Sequence, residues 1–364
     1  MDEFCPEVRK DVTKVYHSIA VRKLVHKISS IVNGLPESQI FPVINYSKVL
    51  ELKDNMDILL LYALRQMLIL AEEHLEIHRE QLTIEPWRNL KGWDRSVRDE
   101  LKEHVASLAP VTSDEITVPT FNILLTGQIG AGKSSFFNSL NSLFRNRIIA
   151  GKADTGLKTA ESWTKEFRIY NLITPDHNIP SPLPWRICDT MGLNDNTDES
   201  DIRNVLKAVD GHVPNKYTFT VGIDFDNECP GFVVNPTLAE KAHCIAVVVD
   251  ASKVKVMKTD MWYKLRSLRE GFISRNIPTY IILTHIDQAC EKVNKDVQHV
   301  YRSIIIRDIV ATVGKELLGL PENQIFPVRN YEKEDDLYDD MDILLLHAVR
   351  QMLYSAQGHI ENKM

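Results

Sequence analysis

The chain has 364 residues, room for about two domains, and 44% of them are hydrophobic, an ordinary globular share. A formal net charge of −7 leaves no basic footprint, which excludes nucleic acid as the expected partner. No apolar run reaches the length of a transmembrane segment; the longest, residues 56–70, contains Asp57, Arg65 and Gln66.

The first residues, MDEFCPEVRKD, are charged and do not read as a signal peptide. Cys5, Cys188, Cys229, Cys244 and Cys290 are scattered without metal spacing and read as reduced thiols, which points to a cytoplasmic location. Residues 5–76 and 290–361 are copies of one another, offset by 285 without a gap, with 39 of 72 positions identical. GLPESQIFPVINY at 34–46 matches GLPENQIFPVRNY at 319–331, and MDILLLYALRQML at 56–68 matches MDILLLHAVRQML at 341–353. Each copy reads as helix, short strand (QIFPV), then a helix with a wide apolar face. The expected organisation is therefore a partial repeat at 1–76 without a nucleotide site, a linker and lead-in helix at 77–118, and the main domain at 119–361. The repeat is either an arm or the remnant of a longer tandem protein. Within the linker, Trp87 and Arg88 fall in a loop after Pro86, and the spacing of Val97, Leu101, Val105 and Leu108 predicts a helix over 93–108.

The main domain opens with FNILLTGQIGAGKSS at 121–135. An apolar strand runs into Gly127-Gln128-Ile129-Gly130-Ala131-Gly132-Lys133-Ser134, a full G-x-x-x-x-G-K-[ST] motif, and Phe136, Phe137, Leu140 and Leu143 then recur at helical spacing. Glycines let the backbone curl so that its N–H groups converge on phosphate oxygens, and the helix that follows presents its positive end to the same anion. Gly127, Gly130, Ala131, Gly132, Lys133, Ser134 and Ser135 are thus the expected phosphate-binding residues. Lys133 adds a point charge and the Ser134 hydroxyl a ligand for Mg²⁺.

The polar stretch 148–164 is read as a first switch, with Thr159 favoured over Thr155 and Thr164 as the threonine that reaches Mg²⁺. A strand is expected at 166–170, a proline-rich turn at 175–184, and a strand at 185–188 that ends in Asp189-Thr190-Met191-Gly192. Here Asp189 would hold the metal through water and the Gly192 amide would reach the terminal phosphate. Leu193 stands where many GTPases place a water-orienting glutamine, so hydrolysis is expected to be slow or to need a group from a partner or second subunit. Residues 194–240 read as an insertion or a mobile second switch. His212 and His243 lack partners at ligand spacing and read as structural. Buried strands follow at 244–249 and 279–283, with a helix at 257–272 between them. The second strand ends in Thr284-His285-Ile286-Asp287. The Asp287 carboxylate can accept from guanine N1–H and the 2-amino group, a donor pattern adenine lacks, and His285 can lie against the purine face. Val328 to Tyr331, including Asn330, would close the base pocket, and 341–353 would be the closing helix.

With GQIGAGKSSFFNS (127–139), CDTMGL (188–193), VVVDAS (247–252), LTHID (283–287) and the closing NY…D-ILLLHAVRQML, the chain resembles the interferon-induced protein 44 and 44-like family from about Glu85 to Glu361. The resemblance implies a cytoplasmic GTP-binding protein linked to innate antiviral responses. It matches the family's THxD, in place of N-K-x-D, to Thr284, His285 and Asp287. Longer members carry an unrelated N-terminal domain where this chain has a partial copy of its own tail.

The expectation is an α/β fold: a P-loop G domain whose mostly parallel sheet is flanked by helices, preceded by a partial duplicate of its own closing elements. It would bind GTP or GDP with Mg²⁺ and be read by a partner protein or a second copy of the chain. No catalytic residue is assigned. Three functions fit the residues: a slow GTPase switch, a non-hydrolysing nucleotide-stabilised interaction protein, and an ATP-dependent enzyme.

Overall fold

A computed structural model describes residues 5–32, 35–44, 53–79, 82–110, 117–149, 166–174, 180–195, 197–220, 222–317 and 319–363. Its contacts divide the chain into two compact units, Met1–Glu80 and Gln81–Met364.

The first unit holds α1 (Pro6–Lys10), α2 (Ile19–Ile31) and α3 (Asp54–Arg79). The Ser18 hydroxyl caps α2 by accepting from the Val21 amide at 3.4 Å. A small core gathers Cys5, Val8, Val15, Val21, Ile44, Met56 and Leu59. The strand expected in this copy is missing: residues 40–44 have no regular structure. A strand needs a neighbour to take up its backbone groups, and no described residue of this unit forms one.

The second unit begins with a segment folded back along the domain. The Thr83 amide donates to Arg302 O at 2.7 Å and the Trp87 amide to Tyr301 O at 2.8 Å. Arg88 donates to Ile325 O at 2.9 Å and to Glu322 O, and its guanidinium lies over the rings of Trp87, Tyr301 and Phe326. This loop arginine is therefore a staple. Next comes α4 (Arg95–Ser107), capped by Asp94, which accepts from the Ser96 and Val97 amides.

The strands are β1 (Phe121–Gly127), β2 (Glu166–Thr174), β3 (Ser181–Asp189), β4 (Tyr217–Thr218), β5 (Cys244–Asp250), β6 (Thr279–Thr284) and β7 (Ile325–Pro327). They form one sheet in the order β4-β2-β3-β1-β5-β6-β7. The run from β3 to β7 is parallel, while β2 and β4 join antiparallel at one edge. The fold class is α/β. Near-continuous apolar runs such as CIAVVVD and TYIILT fit strands covered on both faces, and β1 and β5 are buried along their whole lengths. The helices between them are α5 (Lys133–Phe144), α6 (Glu199–Val209), α7 (Thr259–Ser274), the short α8 (Ile286–Ala289) and α9 (Glu291–Lys295), α10 (Ile304–Glu316) and the closing α11 (Asp339–Glu361).

Two expectations change. Pro182 and Pro184 lie inside β3, which starts at Ser181 and pairs with Thr174, so the proline-rich turn is shorter than the spacing suggested. Residues 194–240, read as an insertion or a mobile second switch, carry a capped helix and a packed aromatic group over their described part. Asp198 caps α6 in a reciprocal box with Asp201. The rings of Tyr217, Phe219, Phe225 and Phe232 contact one another, and Lys264 donates to Asn194 O and Asp195 O, both at 2.8 Å.

The lead-in and closing helices are locked by a buried charge pair. Arg98 Nε donates to Asp342 Oδ2 at 3.0 Å, with the aspartate side chain wholly inaccessible. The Tyr331 hydroxyl donates to Asp342 Oδ1 at 2.9 Å. Burial pushes the Asp342 carboxyl up, against the pull of Tyr331 and Arg98. Removing the arginine strands a carboxylate in the core. Arg98→Met is expected to cost about 3–5 kcal/mol in urea unfolding, and Arg98→Met with Asp342→Leu to recover part of that loss. A double variant less stable than Arg98→Met would show that the pair is not what couples these helices.

Candidate nucleotide site

β1 ends where neighbouring backbones leave no room. A Cβ on Gly127, which sits at φ 131°, would lie 2.2 Å from Val248 O. Only glycine fits there. Gly130 (φ 73°) and Gly132 (φ 87°) are also left-handed, and they turn the chain into α5. No side chain caps that helix, so its first amides remain available to an anion. Ala131 is buried, while Ser134 and Ser135 are half-buried in the first turn.

Lys133 is 7% exposed, and its ammonium donates to Gly127 O at 3.2 Å and Gln128 O at 3.1 Å. Burial pushes its pKa down, and the charge of Asp189 works against that. Asp189 is 1% exposed. Burial raises its carboxyl to about 6, opposed by Lys133 and by a hydrogen bond with the Ser134 side chain. One of its oxygens, Oδ1, is buried with no hydrogen-bond partner. A carboxylate set beside a hydroxyl, with a lone pair unused, suits a hard cation with oxygen ligands.

Gly192 closes the same space. A Cβ there would lie 2.6 Å from Ile129 Cγ1 and 2.9 Å from Lys133 Nζ. The segment is laced to the loop: the Leu193 amide donates to Gly127 O at 3.0 Å, and the Ile129 amide donates to Leu193 O at 2.8 Å. The Leu193 side chain is fully buried in the main core.

The other wall comes from the ends of β6 and β7. A Cβ on Gly132 would meet Asn330 Nδ2 at 3.1 Å, His285 Nε2 at 3.5 Å and Thr284 Cβ at 3.5 Å. Thr284 is fully buried, and its hydroxyl donates to Ala131 O at 2.6 Å, with Val249 O at 3.2 Å. It clamps the loop and shows no free face to a base. Asn330 donates to Gly132 O at 3.3 Å, and its buried Oδ1 has no partner. His285 sits at φ 53°, with Nδ1 3.6 Å from Glu332 Oε1. Asp287 is half-buried on α8, and no hydrogen bond or ion pair to its carboxylate occurs among the described residues.

Two groups escaped the sequence reading. The Ser139 hydroxyl, on α5, accepts from the Tyr331 amide at 2.9 Å and so ties the loop's helix to the segment of Asn330. A serine among Phe136, Phe137, Leu140 and Leu143 was the available signal. Lys264, which holds residues 194–195, carried none. Thr159, Thr155 and Thr164 lie outside the described residues. A cleft of about 240 Å³ lies elsewhere, lined by Asn122, Leu124, Phe167, Arg186, Cys188 and Val213 among others, and none of the candidate site residues lines it.

No family model matches the chain. The human interferon-induced protein 44-like is 32% identical over 249 residues, covering 67% of this chain and 53% of that protein. The mouse interferon-induced protein 44 is 29% identical over 247 residues, covering 66% and 56%. The chain spans about half the length of the curated relatives it matches. Among solved structures, a probable GTP-binding protein engB aligns with a TM-score of 0.35 and 11% identity, over 63% of this chain and 99% of that one. A GTP-binding protein of Sulfolobus solfataricus in complex with GDP aligns with a TM-score of 0.31 and 16% identity, over 64% and 52%. Likeness that low carries no weight, and the α/β class stands on the strand order itself. Over about 67% of its length, the chain is a relative of the interferon-induced protein 44 and 44-like family.

Proposed function

We propose that the second unit binds a guanine nucleotide with Mg²⁺ and acts as a slow or partner-dependent GTP switch. One observation carries the reading. Gly132 meets His285 and Asn330 on one side, and Lys133, which follows it, lies close to Gly192 on the other; we read these as the base end and the phosphate end. The free Asp287 carboxylate supplies the acceptor that guanine needs and adenine lacks. Ser134 and Asp189, with Thr159 as the proposed switch threonine, would hold Mg²⁺, which neutralises phosphate charge when bound. Thr284 supports the site by positioning the loop.

The relatives' name adds to the proposal a part in the interferon response, with antiviral action as its finer form, and a cytoplasmic location goes with it. No described helix is long and apolar enough to cross a membrane. A second reading, a nucleotide-stabilised interaction protein that turns nothing over, is favoured by the burial of Leu193, which leaves its position unable to orient water.

Lys133→Ala is expected to abolish binding of a fluorescent GTP analogue. On the wild type, GTP should displace that analogue at least tenfold better than ATP, and equal displacement would remove Asp287 from its role. The Asp189 carboxyl is protonated below about 6 and then cannot hold a cation. Mg²⁺-dependent affinity should therefore fall as pH drops from about 7 to about 5.5, and Asp189→Asn should flatten that profile. Leu193→Gln should not speed single-turnover hydrolysis, because the new amide would replace a fully buried side chain, and a faster rate would show that this segment opens.

A further inference from the structure

The two copies of the repeat present the same helix in opposite circumstances. In α11 the residues buried against the domain are Met341, Asp342, Ile343, Leu344, Leu345, Leu346, Ala348, Val349, Met352, Leu353, Ala356 and Ile360. At the matching positions of α3, ten of these twelve residues are identical, and the other two, Leu64 and Leu75, replace valine and isoleucine. Ile343, Leu346, Val349, Met352 and Leu353 are at most 1% exposed, yet their counterparts Ile58, Leu61, Leu64, Met67 and Leu68 are 52–63% exposed. Met56, Leu59 and Ala63 stay buried in α3, but this part of the face, dry in one copy, is wet in the other.

We propose that this face of α3 is a self-association surface that pairs with the same face of a second copy of the chain. Leu61, Leu64, Leu68 and Ala71 are spaced 3-4-3, the spacing of a two-helix seam, with Ile58 and Met67 beside it. From Ile58 to Glu72 the only charged residues are Arg65 and Glu72, one of each sign, so no like-charge run opposes pairing. Tyr62 and Leu70 are also exposed on this helix. Ile58, Leu61, Leu64, Met67 and Leu68 at about 100 Å² each give on the order of 1,000 Å² of buried surface for the pair, the lower bound of a specific interface.

The seat of α11 in another copy is the competing occupant, because α3 carries nearly the same face. Exchange there gains nothing: each α3 face covered would expose the matching face of a displaced α11. Pairing two α3 faces covers both, and such an isologous contact closes as a dimer.

The test is sedimentation velocity of the full chain from about 1 to about 100 µM, beside a Leu61→Glu/Leu64→Glu/Leu68→Glu variant. The wild type should pass from monomer to dimer. The variant should remain monomeric, or dimerise at least tenfold more weakly, with an unchanged circular dichroism spectrum, since the three side chains face solvent. A wild type that stays monomeric to about 100 µM overturns the proposal, whether the face is covered within one chain or binds phosphatidylcholine vesicles added in a parallel run. A variant that dimerises as tightly as the wild type overturns it as well. Neither result depends on nucleotide binding.

Discussion

An ammonium and a carboxylate share one dry space under the loop, and the rest of the site is arranged around that fact. Lys133 and Asp189 are each more than nine-tenths buried, and burial moves each away from its charged form. They oppose that drift in one another, and each keeps capacity unused: the ammonium leans on backbone carbonyls, and Asp189 Oδ1 has no partner. Two buried charges with capacity to spare are what the proposed nucleotide and Mg²⁺ would satisfy.

That space exists because β1 lies between β3 and β5 with glycine at its end. Any side chain at Gly127 would collide with Val248, and any side chain at Gly192 with Ile129 and Lys133. The backbone bonds between Leu193, Gly127 and Ile129 then couple the β3 end to the loop. Lys264 of α7 holds the next two carbonyls, those of Asn194 and Asp195.

The base side is tied into the frame of the domain by a separate chain of contacts. Asn330 reaches Gly132, the Tyr331 amide donates to Ser139, and the Tyr331 hydroxyl donates to Asp342, which pairs with Arg98 on the lead-in helix. The lead-in helix thus belongs to the same unit as the site, and one network of buried polar groups runs from the helix that enters the domain to the loop that faces the ligand. Such networks hold a single geometry when every member is satisfied, and of the side chains in this one Asn330 alone keeps an atom, Oδ1, without a partner.

Local sequence was enough for the loop motif, the apolar strands and the α/β class, because each depends on residues close in the chain: glycines at left-handed turns and apolar runs for covered strands. It did not reveal that Thr284 would clamp the loop, that Leu193 would be buried in the core, or that the described part of 194–240 would pack, since each depends on partners far away in sequence. The repeat separates the two kinds of information most directly. Ile40-Phe41-Pro42 and Ile325-Phe326-Pro327 are the same three residues, yet only the second trio is a strand, because only there does β6 stand ready to share its hydrogen bonds. Likewise α3 and α11 are both helices, as their shared residues dictate, but a helix bonds to itself and its apolar face does not choose a partner. The sheet under α11 settled which copy became core.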